Sequence, residues 1–490
     1  MRRSIRFIFC GQAREISSFD PSTTLLEWLR EEMHATGTKE GCNEGDCGAC
    51  TVVLARAEGD RIRHEPVNAC ILLLGQVDGA EVLTIEDLAA NGELHPIQAA
   101  MVRHHASQCG FCTPGIVMSL FAAYHEAERP VTREAITACL AGNLCRCTGY
   151  RPILDAAGEA LAGTVDDPFS RQGAERLAAL RALPDNRDIL VGNEERFFAA
   201  PASLDTLCEL TAAHPEATVI AGATDAGLWI TKKLVAMPKV VALNHVAALT
   251  EIVDGEAALF LGAGVTHARA LPFLARLDPD LETLMLRFGS AQVRASGTIG
   301  GNIANGSPIG DLAPALIALG ASVHLRLRDL VRDLALEDFF IDYGRQDREP
   351  GEIVTGLTIP RLTPGRHFRA FKISKRFDED ISSLLGAFMI TLEGSIISQA
   401  RIAFGGMAGT PKRARETEAA LIGAAIDTPH DWMPAVQALD RDFQPISDMR
   451  ASAAYRARVA RALLGKALTE IAGTRSRTRI VARGSEAENA

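Results

Sequence analysis

The chain has 490 residues, of which 47% are apolar and 23% charged, a composition with material for about three globular domains. A formal net charge of −10, without a basic stripe, argues against nucleic acid or an anionic membrane as a partner. The apolar run after Arg2 and Arg3 is broken by Arg6 and ends by Gly11, which is too short for an export signal. No stretch reaches the ~20 apolar residues of a membrane span, so we expect a cytoplasmic protein.

The first predicted elements are those of a small sheet domain. The alternating stretch SIRFIFCGQ predicts a strand, and Leu25, Leu26, Trp28 and Leu29 lie on one face of a helix that begins near residues 22–24. The stretches CTVVLARAEG and AEVLTIEDL predict further strands. A cysteine-rich loop stands between the helix and these strands.

That loop contains the first of two cysteine sets. Its spacing is C-x4-C-x2-C, then nineteen intervening residues and a fourth cysteine, and the four residues are Cys42, Cys47, Cys50 and Cys70. Glycines at 41, 45 and 48 let the backbone close around a compact inorganic group. This is the spacing of a plant-type [2Fe–2S] cluster. Structural zinc is the main alternative, but it usually takes two C-x2-C pairs or a mixture of Cys and His.

The second set has the spacing C-x2-C, a gap of thirty-two residues, then C-x-C, and it consists of Cys109, Cys112, Cys145 and Cys147. Zinc is a stronger alternative here, although C-x-C suits a cluster with two irons better than one tetrahedral ion. Thr113 is predicted to be the N-cap of one helix, with Pro114 at its first helical position. Thr132 is predicted to cap another helix, which ends near residues 141–142. Each cysteine pair is therefore expected at a helix end.

Three cysteines remain outside both sets. Cys139 is close to Cys145 in sequence but lies on an apolar helical face, so core packing is the expected role. Cys10 and Cys208 receive the same interpretation.

The two sets together are specific enough to indicate a family. The stretches GCNEGDCGAC, QCGFCTPG and LCRCTGYRPI resemble the iron–sulfur part of the molybdenum hydroxylases, which include xanthine dehydrogenase, aldehyde oxidase and bacterial carbon monoxide dehydrogenase. The resemblance implies a plant-type ferredoxin-like β-grasp domain over 1–85 and a helical [2Fe–2S] domain over 86–162. It also implies that Gln108 contacts a molybdopterin held by another domain. The polar segment 163–190 is predicted to be a linker with one short helix.

Glycine loops mark the middle of the chain. They follow apolar stretches in VIAGATDA and TIGGN, and such loops can hold phosphates through backbone N–H groups. The stretch from Gly262 to His267 imitates a dinucleotide fingerprint, but His267 replaces the third glycine and no acidic partner follows. No phosphate-binding loop of the G-x4-G-K-[ST] type exists.

These loops resemble the vanillyl-alcohol-oxidase-like FAD domain of the same family, which the resemblance places over 191–365. It implies a first pyrophosphate loop formed by Val219, Ile220, Ala221, Gly222, Ala223, Thr224, Asp225 and Ala226. It implies a second loop formed by Thr298, Ile299, Gly300, Gly301 and Asn302. Asp311 matches the aspartate that binds the adenosine part, Phe288 the ring against the isoalloxazine, and Val354 and Lys372 two further flavin contacts. The family often has asparagine or glycine before Thr-Glu in the first loop, where this chain has Ala223 before Thr224 and Asp225.

Residues 366–472 resemble the family's C-terminal α+β flavoprotein domain, and 473–490 are predicted to be a disordered tail. The charged run KISKRFDEDIS reads from composition as a solvated loop. The resemblance instead places Asp378, Glu379 and Asp380 beside the flavin, where they influence access of NAD or dioxygen.

The whole arrangement is therefore predicted to be an α+β multidomain chain with two [2Fe–2S] clusters and FAD. Its domain order resembles the small subunit of a bacterial two-subunit xanthine dehydrogenase. That resemblance implies a large partner subunit with the molybdopterin, an (αβ)2 heterotetramer, and NAD+ as electron acceptor in the oxidation of hypoxanthine and xanthine to urate. No catalytic acid, base or nucleophile is expected in this chain. Two alternatives stay open: an aldehyde or N-heterocycle as the substrate, or a non-enzymatic iron–sulfur electron carrier.

Overall fold

The computed structural model describes residues 1–89, 92–473 and 478–479. The chain forms two compact units. The first comprises Met1–Ala247 and Gly289–Gly297, and the second comprises Ala248–Phe288 and Thr298–Ala490. The predicted FAD domain, 191–365, thus contributes to both units.

The first sheet of the first unit has five strands in the order β2-β1-β5-β3-β4. These strands are β1 (Ile5–Phe9), β2 (Gln12–Ile16), β3 (Thr51–Glu58), β4 (Arg61–Asn68) and β5 (Glu81–Leu83). β1 runs parallel to β5, and the other pairs are antiparallel. The predicted helix begins after Thr24, whose hydroxyl accepts the N–H of Glu27, and it continues as a π-helical turn over Trp28–Glu32. Trp28 packs edge-on against Phe7 and Phe9 in the core.

Helices form the next part of the first unit, over Pro96–Arg103, Thr113–Tyr124, Arg133–Leu140 and Arg151–Ala162. The prediction for Thr132 is confirmed, because its hydroxyl accepts the N–H of Ala135. The prediction for Thr113 is one residue late: Cys112 holds the N-cap position, and Thr113 is the first helical residue. Short 3-10 turns occupy Leu74–Val77 and Ile85–Asp87.

The segment predicted as a linker with one short helix contains two helices, Pro168–Arg171 and Gly173–Ala182. Asp167 caps the first by accepting the N–H of Ser170. Phe169 and Leu180 are buried in the same core as the preceding helices. Leu183 packs against the same core from a partly buried position. The polar residues between these few apolar side chains concealed the packing in the sequence.

A second sheet in the first unit has the order β6-β7-β9-β8. Its strands are β6 (Ile189–Gly192), β7 (Phe197–Ala200), β8 (Thr218–Ile220) and β9 (Lys239–Ala242). The remaining helices of this unit cover Leu204–Ala213, Ala226–Thr231 and Ala291–Ser296, with a 3-10 turn at Ala247–Thr250 that begins in this unit. β9 lies between β7 and β8 and runs parallel to both. The first glycine loop follows the carboxyl end of β8.

The second unit contains an antiparallel sheet in the order β10-β11-β16-β12-β13 and a two-stranded β14-β15 ribbon. The strands are β10 (Ile252–Asp254), β11 (Ala258–Gly262), β12 (Ser322–Leu327), β13 (Leu330–Ala335), β14 (Phe340–Asp342), β15 (Arg345–Gln346) and β16 (Ile353–Pro360). The associated helices are His267–Leu277, Pro279–Leu286, Ile299–Asn305, Leu312–Leu319 and Leu336–Phe339. Among the described residues, both strands that pair with β11 are antiparallel to it. The stretch from Gly262 to His267 is therefore not part of a parallel dinucleotide-binding unit.

A four-stranded antiparallel sheet completes the second unit, in the order β17-β18-β19-β20. Its strands are β17 (Arg366–Ile373), β18 (Leu384–Glu393), β19 (Ile396–Gly405) and β20 (Lys412–Arg413). Helices Arg415–Leu421, Met433–Asp442 and Ala453–Ile471, with a 3-10 turn at Pro429–Trp432, contribute to its core.

Most of the predicted tail, 473–490, lies outside the described residues. Of the part described, Arg479 pairs with Asp280 and Glu470. None of the described helices is both long and apolar enough to cross a membrane.

Candidate functional site

The first cysteine set lies on the loop before β3 and in the turn after β4. The sulfur of Cys42 accepts the N–H groups of Asp46 and Cys47 at 3.4 and 3.3 Å. The sulfur of Cys47 accepts the N–H of Cys42 at 3.3 Å. Cys50 and Cys70 are buried, with their sulfurs 3.3 Å apart. Backbone donors that point at sulfur suit thiolates bound to a cluster.

Hydrogen bonds alter the acidity of these thiols. A hydrogen bond from the Cys47 thiol, together with backbone N–H groups, lowers the pKa of Cys42 to about 5. The hydrogen bond to Cys50, followed by burial, raises the pKa of Cys70 above the ordinary thiol value. The set therefore combines one thiol that ionises readily with one that needs a positive ion to do so.

The second set lies at two helix ends. Cys109 and Cys112 precede the Thr113–Tyr124 helix, and Cys145 and Cys147 precede the Arg151–Ala162 helix. Cys109 and Cys147 are exposed, whereas Cys145 is buried. Although burial opposes it, hydrogen bonds from Thr148 lower the pKa of Cys145.

The sulfurs of each set are grouped as two pairs. Hydrogen-bonded thiols pair Cys42 with Cys47, Cys50 with Cys70, Cys109 with Cys147, and Cys112 with Cys145. Among the residues that the structure describes, the groups of three or more ligand atoms within 4.8 Å of one another include no cysteine set. One tetrahedral zinc would draw all four sulfurs to within about 4 Å of one another, because each Zn–S bond is only ~2.3 Å long. Two pairs fit a cluster with two irons.

The remaining cysteines show one wrong prediction. Cys208 is buried, and Cys139 packs against the helical core. Cys10 is exposed, because it follows β1 in a turn with a φ of 51°. Core packing is therefore wrong for Cys10.

The first glycine loop follows β8 in the first unit. Ala223 has a φ of 55°, and a Cβ on Gly222 would lie 1.9 Å from the carbonyl oxygen of Ser296. The side-chain amide of Gln76 donates to the carbonyl of Ala221 at 2.7 Å, which fixes the loop from the first sheet domain. Sequence reasoning missed Gln76, which carries no local signal of this contact. A tight, backbone-lined turn fits the binding of a pyrophosphate.

The second glycine loop lies in the second unit. The hydroxyl of Thr298 accepts the N–H of Gly301 at 3.0 Å and caps the Ile299–Asn305 helix. A Cβ on Gly300 would lie 2.3 Å from the Cβ of Ala263, so only glycine fits there. Among the described residues, the buried Oδ1 of Asn302 has no hydrogen-bond partner. That unpaired acceptor fits a ligand that brings a donor.

Two predicted flavin contacts pair with each other. The ammonium of Lys372 donates to Asp311 at 2.6 Å, and the hydroxyl of Ser382 donates to the other carboxylate oxygen at 2.5 Å. All three side chains are buried, as is Val354 on β16. The structure therefore holds the Asp311 carboxylate in one orientation.

Phe288 lies beside the ring of His267, with ring centroids 4.4 Å apart. The preceding Arg287 donates to the carbonyls of Lys372 and Phe377, and its guanidinium lies 4.7 Å from the Phe377 ring. Sequence reasoning missed Arg287, which anchors the charged loop.

Within that loop, Asp380 accepts the N–H groups of Lys375 and Arg376. Although burial opposes it, these bonds hold the pKa of Asp380 below the ordinary value. Glu379 adopts a φ of 48° and its carbonyl accepts from Arg376. The loop is thus folded on itself, with Asp378 only half-buried.

Sequence reasoning also missed a buried group formed by His95, His125 and Asp167. Nε2 of each histidine lies within 2.9 Å of one carboxylate oxygen of Asp167. These atoms are close enough to hold a metal ion. However, Nδ1 of His95 accepts the N–H of Ile97, so Nε2 carries a hydrogen and has no lone pair for a metal. The group is a hydrogen-bonded cluster that fixes the segment before the Pro168–Arg171 helix.

Four domain families match the chain in sequence order. A "2Fe-2S iron-sulfur cluster binding domain" matches 7–74, and a "[2Fe-2S] binding domain" matches 84–158. An "FAD binding domain in molybdopterin dehydrogenase" matches 193–362, and a "CO dehydrogenase flavoprotein C-terminal domain" matches 369–471. The predicted α+β multidomain fold, with two [2Fe–2S] domains and FAD, is therefore confirmed.

Comparison with whole proteins gives the same result. Xanthine dehydrogenase of Drosophila subobscura is 33% identical over 468 residues, which cover 83% of this chain and 35% of that protein. The chain thus spans about a third of the length of this curated relative.

Two solved structures cover a smaller part of this chain. A chain of Cu,Mo-CO dehydrogenase in a cyanide-inactivated form is 27% identical with a TM-score of 0.53, covering 56% of this chain and 96% of that one. A chain of quinoline 2-oxidoreductase from Pseudomonas putida 86 is also 27% identical, with a TM-score of 0.51, covering 56% and 95%. Four matched domains in this order, with these similarities, show that the chain belongs to the molybdenum hydroxylase family, of which it carries the iron–sulfur and flavin domains.

Proposed function

We propose that this chain is the electron-transfer part of a cytoplasmic xanthine dehydrogenase and that it works with a large molybdenum-binding subunit. The observation that carries the proposal is the similarity to xanthine dehydrogenase over 83% of the chain. The overall reaction adds one oxygen atom from water to hypoxanthine or xanthine. It passes two electrons and one proton to NAD+, and the second proton is released.

The bound groups supply the redox chemistry: [2Fe–2S] clusters carry single electrons, and FAD combines two of them for hydride transfer. The protein's part is to hold and orient these groups. The eight cysteines of the two sets are the proposed cluster ligands. The 219–226 loop of the first unit is a proposed pyrophosphate-binding loop, and so is the 298–302 loop of the second unit. Asp311, Phe288, Val354 and Lys372 are the proposed contacts to the rest of FAD.

The partner subunit is proposed to dock over the second cysteine set. Cys109 and Cys147 are exposed there, as are Gln108 and Phe111. A thiolate pair that reaches the surface suits electron entry from a cofactor held by another chain. We propose an (αβ)2 assembly, which is what the resemblance to two-subunit xanthine dehydrogenases implies.

The test begins with the cofactor load of the purified chain. We expect about four irons and about four acid-labile sulfides, two of each per cluster, together with noncovalent FAD. The chain alone should oxidise NADH with an artificial dye but should not oxidise xanthine. Xanthine-dependent reduction of NAD+ should appear when the large subunit is added.

A ligand variant sharpens this test. Cys147→Ser should abolish one of the two cluster signals in paramagnetic resonance and leave the other, whereas the control Cys139→Ser should leave both. Zinc without sulfide, or turnover of xanthine by the chain alone, would contradict the proposed function.

A second candidate is oxidation of an N-heterocycle other than a purine, which the similarity to quinoline 2-oxidoreductase favours. Assays of the assembled complex with xanthine and quinoline distinguish the two candidates. Turnover of quinoline alone would replace xanthine as the substrate and leave the electron-transfer role intact.

A further inference from the structure

The side chain of Gln292 lies at the centre of a buried polar group in the first unit. It is 1% exposed, and its amide nitrogen lies 3.1 Å from Thr51 Oγ1, Ser119 Oγ and Asn143 Oδ1. These three partners come from three separate segments. Thr51 follows Cys50, Ser119 lies in the Thr113–Tyr124 helix, and Asn143 precedes Cys145 by two residues.

Asn143 extends this group to the loops that carry the cysteines. Its amide donates to the carbonyl of Gly48, between Cys47 and Cys50, at 3.1 Å. The N–H of the next residue, Leu144, donates to the carbonyl of Cys47 at 3.0 Å. The backbones of the two cysteine loops are therefore joined directly beside Cys145.

The backbones of the two loops also come into direct contact beside the Asn143 amide. A Cβ on Gly48 would lie 2.1 Å from the carbonyl oxygen of Gly142, and a Cβ on Gly115 would lie 2.1 Å from that of Gly48. A Cβ on Gly142 would meet Ser290 and Gln292 at 2.3 and 2.4 Å. The spacing between the loops is thus set by backbone contact, which the Gln292 amide secures from one side.

The helix that carries Gln292 also contacts the first flavin loop. Ser296, at the end of the Ala291–Ser296 helix, has its carbonyl oxygen where a Cβ on Gly222 would fall, at 1.9 Å. One short helix of the flavin-domain sequence therefore touches both cysteine loops and the pyrophosphate loop.

The amide also carries an energetic cost. Within the described residues, Oε1 of Gln292 is buried and has no hydrogen-bond partner. A buried acceptor without a donor is unfavourable, so an apolar side chain of the same length would avoid this cost. An apolar side chain, however, could not supply the hydrogen-bond donors of the Gln292 amide nitrogen.

We propose that Gln292 is a positioning residue for electron transfer, which fixes the separation of the two cluster loops through Asn143. The proposal rests on the proposed function. Electron transfer slows steeply as the gap between two centres widens, so a residue that holds the gap affects the rate without touching either centre. A rigid second layer of hydrogen bonds is how proteins keep such distances.

The test uses Gln292→Met in the full cofactor-loaded chain, because Met keeps the length of the side chain and removes the donor. Hydrogen exchange at the Leu144 amide should become about tenfold faster, the factor that corresponds to the loss of one net hydrogen-bond contribution. The magnetic coupling between the two reduced clusters should weaken, while the iron content stays at the wild-type value.

Gln76→Met is the matched control, because it also removes a buried amide that contacts the flavin loop. It should leave the Leu144 exchange and the cluster coupling unchanged and reduce only the retention of FAD. If Gln292→Met does not fold, Ser119→Ala removes one partner of the amide and should give a smaller change in the same direction.

The proposal would be overturned if Gln292→Met kept the wild-type hydrogen exchange at Leu144 and the wild-type cluster coupling. If Ser119→Ala is the variant tested, the same result in that variant would overturn it. Gln292 would then be a space-filling residue. A wild-type chain without iron and sulfide would overturn the proposed function instead, so the two failures are distinguishable.

Discussion

At the scale of single residues, His64 on β4 shows how burial controls charge. Its ring stacks on that of His125 with centroids 4.5 Å apart and meets Phe121 edge-on. Among the residues described, neither ring nitrogen of His64 has a hydrogen-bond partner. Burial, with the nearby His125 and Arg176, lowers the pKa of His64 to about 3. The folded protein therefore keeps this ring neutral where an unfolded chain would protonate it.

This difference predicts a loss of stability in mild acid. Unfolded histidine takes up its proton near pH 6.5, so the contribution of His64 is fully present above that pH and declines as the pH falls toward 3. Between pH 7 and pH 5 the loss should be about 2 kcal/mol. His64→Phe, which cannot titrate, should remove this loss, as measured by urea unfolding of the first unit at the two pH values.

His430→Phe, at an exposed histidine of the second unit, is the control and should keep the wild-type pH dependence. The depressed pKa of Asp167 adds a further loss only below about pH 4, because its ordinary pKa lies there. Equal acid sensitivity of His64→Phe and the wild-type protein would contradict the prediction.

At the scale of elements, the Thr113–Tyr124 helix approaches the first cysteine loop at a glycine. Gly115 has ordinary helical geometry, but a Cβ on it would lie 2.1 Å from the carbonyl oxygen of Gly48. Gly158, in the Arg151–Ala162 helix, would present its Cβ to open space. The two glycines therefore separate helix propensity from close packing.

We expect Gly115→Ala to destabilise the first unit by about 1–3 kcal/mol, because the loop backbone must shift. Gly158→Ala, the matched control, should stabilise it by about 0.5–1 kcal/mol, since alanine is the better helix former. Thermal unfolding with iron analysis measures both effects. Stabilisation by Gly115→Ala would show that the loop moves away at no cost.

At the scale of the whole molecule, the surface around the second cysteine set carries exposed apolar side chains. Phe111 and Leu144 are 47% and 44% exposed there. Apolar side chains beside exposed cysteines that are proposed cluster ligands are what a partner subunit would cover. This surface belongs to the first unit.

Phe111→Asp should weaken the binding of the large molybdenum subunit about tenfold or more, because it places a charge in the proposed interface. Iron content and dye-linked oxidation of NADH by the chain alone should stay unchanged. Leu330→Asp, at a 73% exposed position of the second unit, is the control and should bind normally. Calorimetry measures the affinity of each variant for the large subunit. Equal affinities for the two variants would place the partner on another surface.

The features that the sequence determined are those whose residues lie close together along the chain. Cysteine spacing and glycine loops are local patterns, and they were sufficient to predict two [2Fe–2S] domains, an FAD domain and their order along the chain. The cap at Thr132 was equally readable, because its acceptor and donor are three residues apart. The particular residues assigned to FAD and to the NAD-side loop stay predictions.

The tertiary structure decided what depends on contacts between distant segments. Gln292 and Thr51 are 241 residues apart, and Gln76 and Ala221 are 145 apart, so no local pattern marks either pair. The same holds for the pairing of Asp311 with Lys372. It holds as well for the contacts of His95 and His125 with Asp167, which lies in the segment predicted to be a linker. A buried polar side chain is defined by the partner that folding brings to it, and the sequence around it records only that it is polar.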